Sequence, residues 1–226
     1  MKNLGAVTRS ILVFFYRNLL AFAHPNPPKH YLEDKERKTS VIILPGLGQR
    51  WALIKPLGDY ISLRGHPIYV VPSLRYNLKD IPTSAEIVRG VIDKSNLKHL
   101  IIIGHSKGGL IGKYLLANLN KDNRIKGLIA IATPFSGSEI TRFVPIKIFK
   151  ELHPTSNIIQ ELNSNSSVNS RIVSIYPIFD GAILAKEGSF LKGARNNIQL
   201  NVKGHQRILH DKQAFEKVIQ YIDELS

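Results

Sequence analysis

The sequence predicts an α/β fold: a mostly parallel six-stranded sheet with helices on both faces. Three observations lead there. Short apolar runs alternate with segments of helical period, the pattern of repeated βαβ units. One of these runs, Lys98 to Ile103, ends abruptly in a glycine-bounded turn and passes into a helix-like stretch, Leu110 to Leu119. At 226 residues, with 43% hydrophobic residues, the chain is long enough for one domain with a sizeable core.

The elements follow in order. Strands read at 39–44, 67–71, 98–104, 125–132, 171–176 and 198–203. Helices read near 51–63, 82–95, 107–119 and 211–225. The interval 135–170 lacks a strand pattern, and its apolar residues Phe143, Ile146, Phe149 and Leu152 are interleaved with Arg142, Lys147 and Lys150. An amphipathic cap over a pocket has this composition, and so does a fixed surface helix. The stretch Asn163 to Ser170 reads as a loop.

Residues 1–38 differ in character from the domain expected over 39–226. Ile11 to Tyr16 and Leu19 to Ala23 are apolar, while Asn3, Ser10, Arg17 and His24 recur every seven residues as a narrow polar stripe. A helix of this kind lies at a membrane interface or packs on the domain. Spanning requires about 20 apolar residues without a central arginine, which Arg17 breaks. Ala21-Phe22-Ala23 also gives the segment a partial likeness to a secretory signal. Pro25, Pro27 and Pro28, followed by a charged run, read as a linker.

The formal net charge is +14, which favours anionic partners such as acidic lipid headgroups. No nucleic-acid motif accompanies it, so an anionic membrane surface is the expected partner. With no cysteine there is neither a disulfide nor thiolate chemistry, and the eight histidines show no metal-ligand spacing. No cofactor is implied.

Chemistry concentrates at Gly104-His-Ser-Lys-Gly108. Strand, Gly-x-Ser-x-Gly, helix is the context of a nucleophile elbow, in which a strained turn lifts the serine hydroxyl above the sheet. A side chain at Gly104 or Gly108 would collide with the neighbouring strand or helix. Ser106 is then the candidate nucleophile and needs a histidine base held by a carboxylate. Where this elbow occurs, the chain order is serine, acid, histidine. Asp180 follows the apolar run Arg171 to Tyr176 and precedes Gly181, so it is the candidate acid, with Glu187 second. His205 follows the last strand through Gly204 and is the candidate base, with His210 second. Two backbone donors must hold the oxyanion. The N–H groups of Lys107, after the nucleophile, and of Leu47, in the loop Pro45-Gly-Leu-Gly48, are the candidates. The Lys107 side chain is expected near the mouth, facing an anionic headgroup.

These pieces, with Ala132-Thr-Pro-Phe135 and Gly137, resemble the α/β-hydrolase family in its small lipase and esterase branch. The likeness spans Thr39 to Leu225, and Pro154 to Leu162 is similar to the cap segment of bacterial triacylglycerol lipases. It implies a minimal version of that fold, since no room precedes Thr39 for the antiparallel strand pair of larger members. It also implies hydrolysis of carboxylic esters, of lipid or acylglycerol type, by Ser106, Asp180 and His205. Pro45, Phe135 and Lys107 depart from the family's commoner residues, at positions that line or flank the acyl and leaving-group sites. Two alternatives remain at this level: acyl transfer by the same triad, and a membrane-associated binding module without catalysis. The expected location is cytoplasmic or peripheral to a membrane, or secreted where residues 1–23 act as a signal.

Overall fold

The computed structural model describes residues 26–33, 38–139, 141, 147–183 and 188–226. The amphipathic or signal-like segment, the second-choice acid Glu187 and part of the cap interval lie outside these residues.

Six strands form one sheet: β1 (Ser40–Leu44), β2 (Ile68–Val70), β3 (Leu100–His105), β4 (Ile125–Ile131), β5 (Ile172–Phe179) and β6 (Asn196–Lys203). Their order is β2-β1-β3-β4-β5-β6, and all five pairings are parallel. The α-helices are α1 (Lys55–Ser62), α2 (Ile81–Lys94), α3 (Lys107–Asn118), α4 (Lys147–Lys150), α5 (Asn157–Ser164) and α6 (Lys212–Leu225).

Side chains of a strand alternate between faces, so the sheet builds two cores. Val41, Ile43, Ile101, Ile103, Ile129 and Val173 point to one face and meet Leu57 and Ile61 of α1 and Val218 and Ile222 of α6. Ile42, Leu44, Ile102, Leu128, Ala130 and Ile172 point to the other and meet α2, α3 and α5. On α2 the buried residues Ile81, Ala85, Val88 and Ile92 keep the spacing of one helical face. Each fully buried Val, Leu or Ile contributes roughly 1.5–3 kcal/mol of transfer free energy. Parallel strands covered on both faces explain the continuous Ile and Leu runs.

The core also takes in Tyr31, from the stretch that reads as linker in the sequence. The 3-10 turn Lys29–Tyr31 buries this ring against Trp51, and its hydroxyl donates to Asp59 at 2.9 Å. Among the described residues no helix is long and apolar enough to cross a membrane.

Helix starts are satisfied by side chains at three places. Asp80 accepts from the Thr83 N–H at 2.7 Å, Ser156 from Ile159 at 3.4 Å and Asp211 from Ala214 at 3.0 Å. Helix α1, with Ile54 at its N-cap, makes no such bond, and neither does α3, although its N-cap residue is Ser106.

Helix α3 also carries a lysine in the core. Lys113 is fully buried, and its Nζ has no hydrogen-bond partner among the described residues. The ring of Phe135, 5.7 Å away, offers it a partial cation–π contact. Burial pushes its pKa down to about 8. An unfolded lysine holds its proton to higher pH, so stability should rise as pH climbs from about 8 toward 10.5. Below that window the full cost applies, roughly 3 kcal/mol at ~1.4 kcal/mol per unit. Lys113→Met should therefore be more stable than the wild type in urea unfolding at pH 7, and the gap should shrink toward pH 10. Equal stability at pH 7 would refute this account.

Candidate active site

Two positions at the end of β3 exclude a side chain, Gly104 and Gly108. A Cβ at Gly104 would come within 2.5 Å of the Gly108 backbone, and one at Gly108 would overlap the Leu44 carbonyl of β1. Strand β3, helix α3 and strand β1 are thereby pressed together around Ser106. The serine between them is held at φ 52°, ψ −121°, in the left-handed region that non-glycine residues seldom occupy. Its N–H donates to the Ile131 carbonyl of β4 at 2.9 Å, which pins the turn to the neighbouring strand. The hydroxyl is not engaged in capping α3, although serine is a favoured capping residue. A helix start also leaves the N–H of Lys107 without an intrahelical acceptor.

Asp180 and His205 meet because β5 and β6 are parallel neighbours with Phe179 opposite Lys203. The Gly204 N–H donates to the Phe179 carbonyl at 2.8 Å, and Gly204 turns the chain at φ 121°. His205 Nδ1 then lies 2.8 Å from Asp180 Oδ2. The other carboxylate oxygen accepts from the Ala182 N–H at 2.9 Å. Burial works to raise the Asp180 pKa, but the charge and hydrogen bond of His205, with the Ala182 N–H, outweigh it and leave the pKa below its ordinary value. Asp180 is therefore an ionised acceptor, and an acceptor facing Nδ1 requires that nitrogen of His205 to be the donor. His210, the second-choice base, is exposed at the end of the 3-10 turn Arg207–His210.

The described contacts link this pair to the elbow through His105, the residue before Ser106. The buried ring of His105 lies 4.8 Å from that of His205, and its Nε2 is 3.1 Å from the His205 carbonyl oxygen. Its Nδ1 is 2.9 Å from Gln49 Oε1. Burial above all, with His205 adding to it, pushes the His105 pKa down to about 3, so the ring is neutral. A neutral imidazole has one N–H, and here both nitrogens face acceptors, so only one of the two contacts is a hydrogen bond.

Gln49 also organises the loop expected to hold the oxyanion. Its Oε1 accepts from the Gly46 N–H at 3.0 Å, next to Leu47. Gly46 lies against the nucleophile: a Cβ there would be 3.1 Å from Ser106 Cβ. Neither Gln49 nor His105 stands out in the sequence as a site residue. The signal for both is a polar side chain flanked by segments that must be buried, which demands a partner without naming it.

The Lys107 side chain corrects the expectation. It does not reach the mouth but is fully buried, with Nζ 3.0 Å from Glu151 Oε2 and donating to the Lys79 carbonyl. The helix begins immediately after Ser106, which turns this side chain inward against α2 and the cap interval. A second cap contact reaches the acid loop, where the Ser138 hydroxyl donates to the Ala182 carbonyl at 2.7 Å. Among the described residues no group of three or more His, Cys, Asp or Glu is placed to hold a metal ion.

With this geometry in view, the comparisons are specific. A family model for the alpha/beta hydrolase fold matches residues 32–150, from ahead of β1 through the elbow and β4. The chain belongs to the α/β-hydrolase family. No curated protein matches the sequence. Among solved structures, a monoacylglycerol lipase from Paleococcus ferrophilus is similar with a TM-score of 0.58 at 13% identity, over 84% of this chain and 97% of its own. Aspergillus fumigatus lipase B gives 0.73 at 17% identity, over 85% of this chain and 53% of its own. The mature lipase BlEst2 of Bacillus licheniformis gives 0.66 at 12% identity, over 88% and 96%. At these identities the likeness is one of α/β-hydrolase fold.

The close backbone contacts generate a prediction within the chain's own glycines. Gly104→Ala and Gly108→Ala should each destabilise severely, because the obstructing atoms are backbone. Gly90→Ala, on an exposed position of α2 with nothing within 4 Å, should stabilise by about 0.5–1 kcal/mol. Thermal or urea unfolding of the three variants checks the ranking; a tolerated alanine at 104 or 108 would contradict the packing.

Proposed function

We propose that this chain is a serine hydrolase that cleaves carboxylic esters, with a lipid or acylglycerol ester as the preferred substrate. One observation carries the reading. Ser106 stands at left-handed φ on a strand-to-helix elbow, and at the same carboxyl end of the parallel strands His205 faces an ionised Asp180 at 2.8 Å. Family membership supports hydrolysis as the class of reaction.

In this reading Ser106 Oγ attacks the ester carbonyl carbon and gives its proton to His205 Nε2. Asp180 steadies the imidazolium that forms. The carbonyl oxygen, now an anion, takes up the N–H groups of Leu47 and Lys107. His205 returns the proton to the leaving alkoxide, so an alcohol departs and the acyl group stays on Ser106. Water repeats the sequence, losing a proton to His205, and releases the acid. Every group required is a side chain or backbone amide of this chain.

The preference for an apolar acyl substrate is supported by the surroundings of Asp180. Ile178 and Phe179, just before it, are 52% and 59% exposed. The charge of +14 adds attraction to an anionic surface, which fits a peripheral membrane location.

Ser106→Ala should lower hydrolysis of p-nitrophenyl esters by about 10³-fold or more while the fold stays intact. Asp180→Asn should cost about 10³–10⁴-fold, because the amide favours the wrong tautomer of His205. His205→Ala should be far more damaging than His210→Ala, and Glu187→Gln should be nearly neutral. A fluorophosphonate should label the wild type and not Ser106→Ala; activity that survives in that variant would sink the reading. Product analysis with added alcohols separates hydrolysis from acyl transfer.

The full chain should also sediment with anionic vesicles and lose binding as salt rises, since surface charge is screened over ~10 Å at 0.1 M. Equal binding to neutral vesicles at all salt concentrations would remove the electrostatic part.

A further inference from the structure

Lysine is among the residues least often fully buried, because desolvating an ammonium costs several kcal/mol unless it is paired. Lys107 is fully buried one residue after the nucleophile. Its Nζ reaches two segments distant in sequence: it donates to the Lys79 carbonyl and pairs with Glu151 at 3.0 Å. Glu151 in turn accepts the N–H of Ile81, the first residue of α2, through its other oxygen. Asp80 adds further negative charge nearby. Burial drives the Lys107 pKa down, while the charge of Glu151 opposes it. The elbow, the start of α2 and the cap interval therefore converge on one ammonium.

A methionine would fill the same space without an ion pair. What the ammonium adds is a fixed direction. The first helical residue has no N–H bond of its own to hold it, and this side chain supplies an anchor on the far side of the same Cα. We propose that Lys107 is a positioning residue for the oxyanion hole, its backbone N–H held in register by the buried Lys107–Glu151 pair, so that the cap sets the electrophilic half of the site. This rests on the serine-hydrolase reading and deepens it: the segment between β4 and β5 then governs rate as well as pocket shape.

The test uses the full chain, p-nitrophenyl butyrate and a fluorophosphonate, whose adduct oxygen occupies the same hole. Glu151→Gln keeps an acceptor for the Ile81 N–H and removes the charge. Lys107→Met keeps the volume and removes the ammonium. Each should lower kcat by about 10–100-fold with KM within about twofold, as expected for a donor displaced rather than deleted. Fluorophosphonate labelling should slow in the same proportion as kcat/KM. The double variant should be no slower than the worse single variant, because one coupling has been cut twice.

A purely space-filling role predicts otherwise: altered unfolding midpoints with kcat and labelling rate unchanged in Lys107→Met and Glu151→Gln. That result overturns the proposal. If Lys107→Met fails to fold, Glu151→Gln decides alone, and a wild-type labelling rate in it is the overturning result. A wild-type chain that neither labels nor hydrolyses esters overturns the serine-hydrolase reading and this one with it. A wild type that labels, beside a Glu151→Gln variant that labels equally fast, overturns this one only.

Discussion

Three backbones touch at the end of β3, and the position of the candidate nucleophile depends on that contact. Gly104 and Gly108 remove the two side chains that would keep β3, α3 and β1 apart. Once they are together, Ser106 has no route to an ordinary φ, because relaxing the turn would drive the start of α3 into the carbonyl of Leu44. The strain at one serine is thus sustained by packing that extends through both cores. The same contact puts the Lys107 amide at a helix start and brings Gly46 against the nucleophile.

The polar groups under this edge are economical. Gln49 uses one oxygen to face both the Gly46 amide and the His105 ring. Asp180 spends one oxygen on His205 and the other on a backbone amide, which leaves no freedom to rotate. The two buried lysines of α3 contrast with this and with each other. Lys107 is compensated by a carboxylate, whereas Lys113 has only an aromatic face. Both contact residues of the cap interval, Glu151 and Phe135 respectively.

How far the sequence speaks follows from the range of the forces involved. Strand runs and helix faces are local and periodic, and the strands and helices read from the pattern coincide with those observed to within a few residues. The elbow is local as well, being five residues whose glycines have one geometric use. Asp180 and His205 were legible as residues just beyond strand ends, and the register of β5 and β6 brings them within 2.8 Å. Glu151, Gln49 and His105 were not, because their roles depend on pairings across 44, 56 and 100 positions that no period encodes. The Lys107 side chain was misjudged for the same reason. Proximity to the nucleophile in sequence suggests the mouth, but the handedness of α3 sends the side chain the other way.

Tyr31 bears on where this domain can be cut. Its ring fills a fully buried place beneath Trp51, and its hydroxyl rests close enough to Gly58 that a Cβ there would lie 2.6 Å from it. Asp59 accepts from that hydroxyl. A recombinant fragment opened at the first strand would therefore carry a ring-sized void in one core and a helix surface shaped around a missing partner. The excisable unit, for expression, fusion or circular permutation, starts ahead of Lys29, eleven residues before the sheet itself begins.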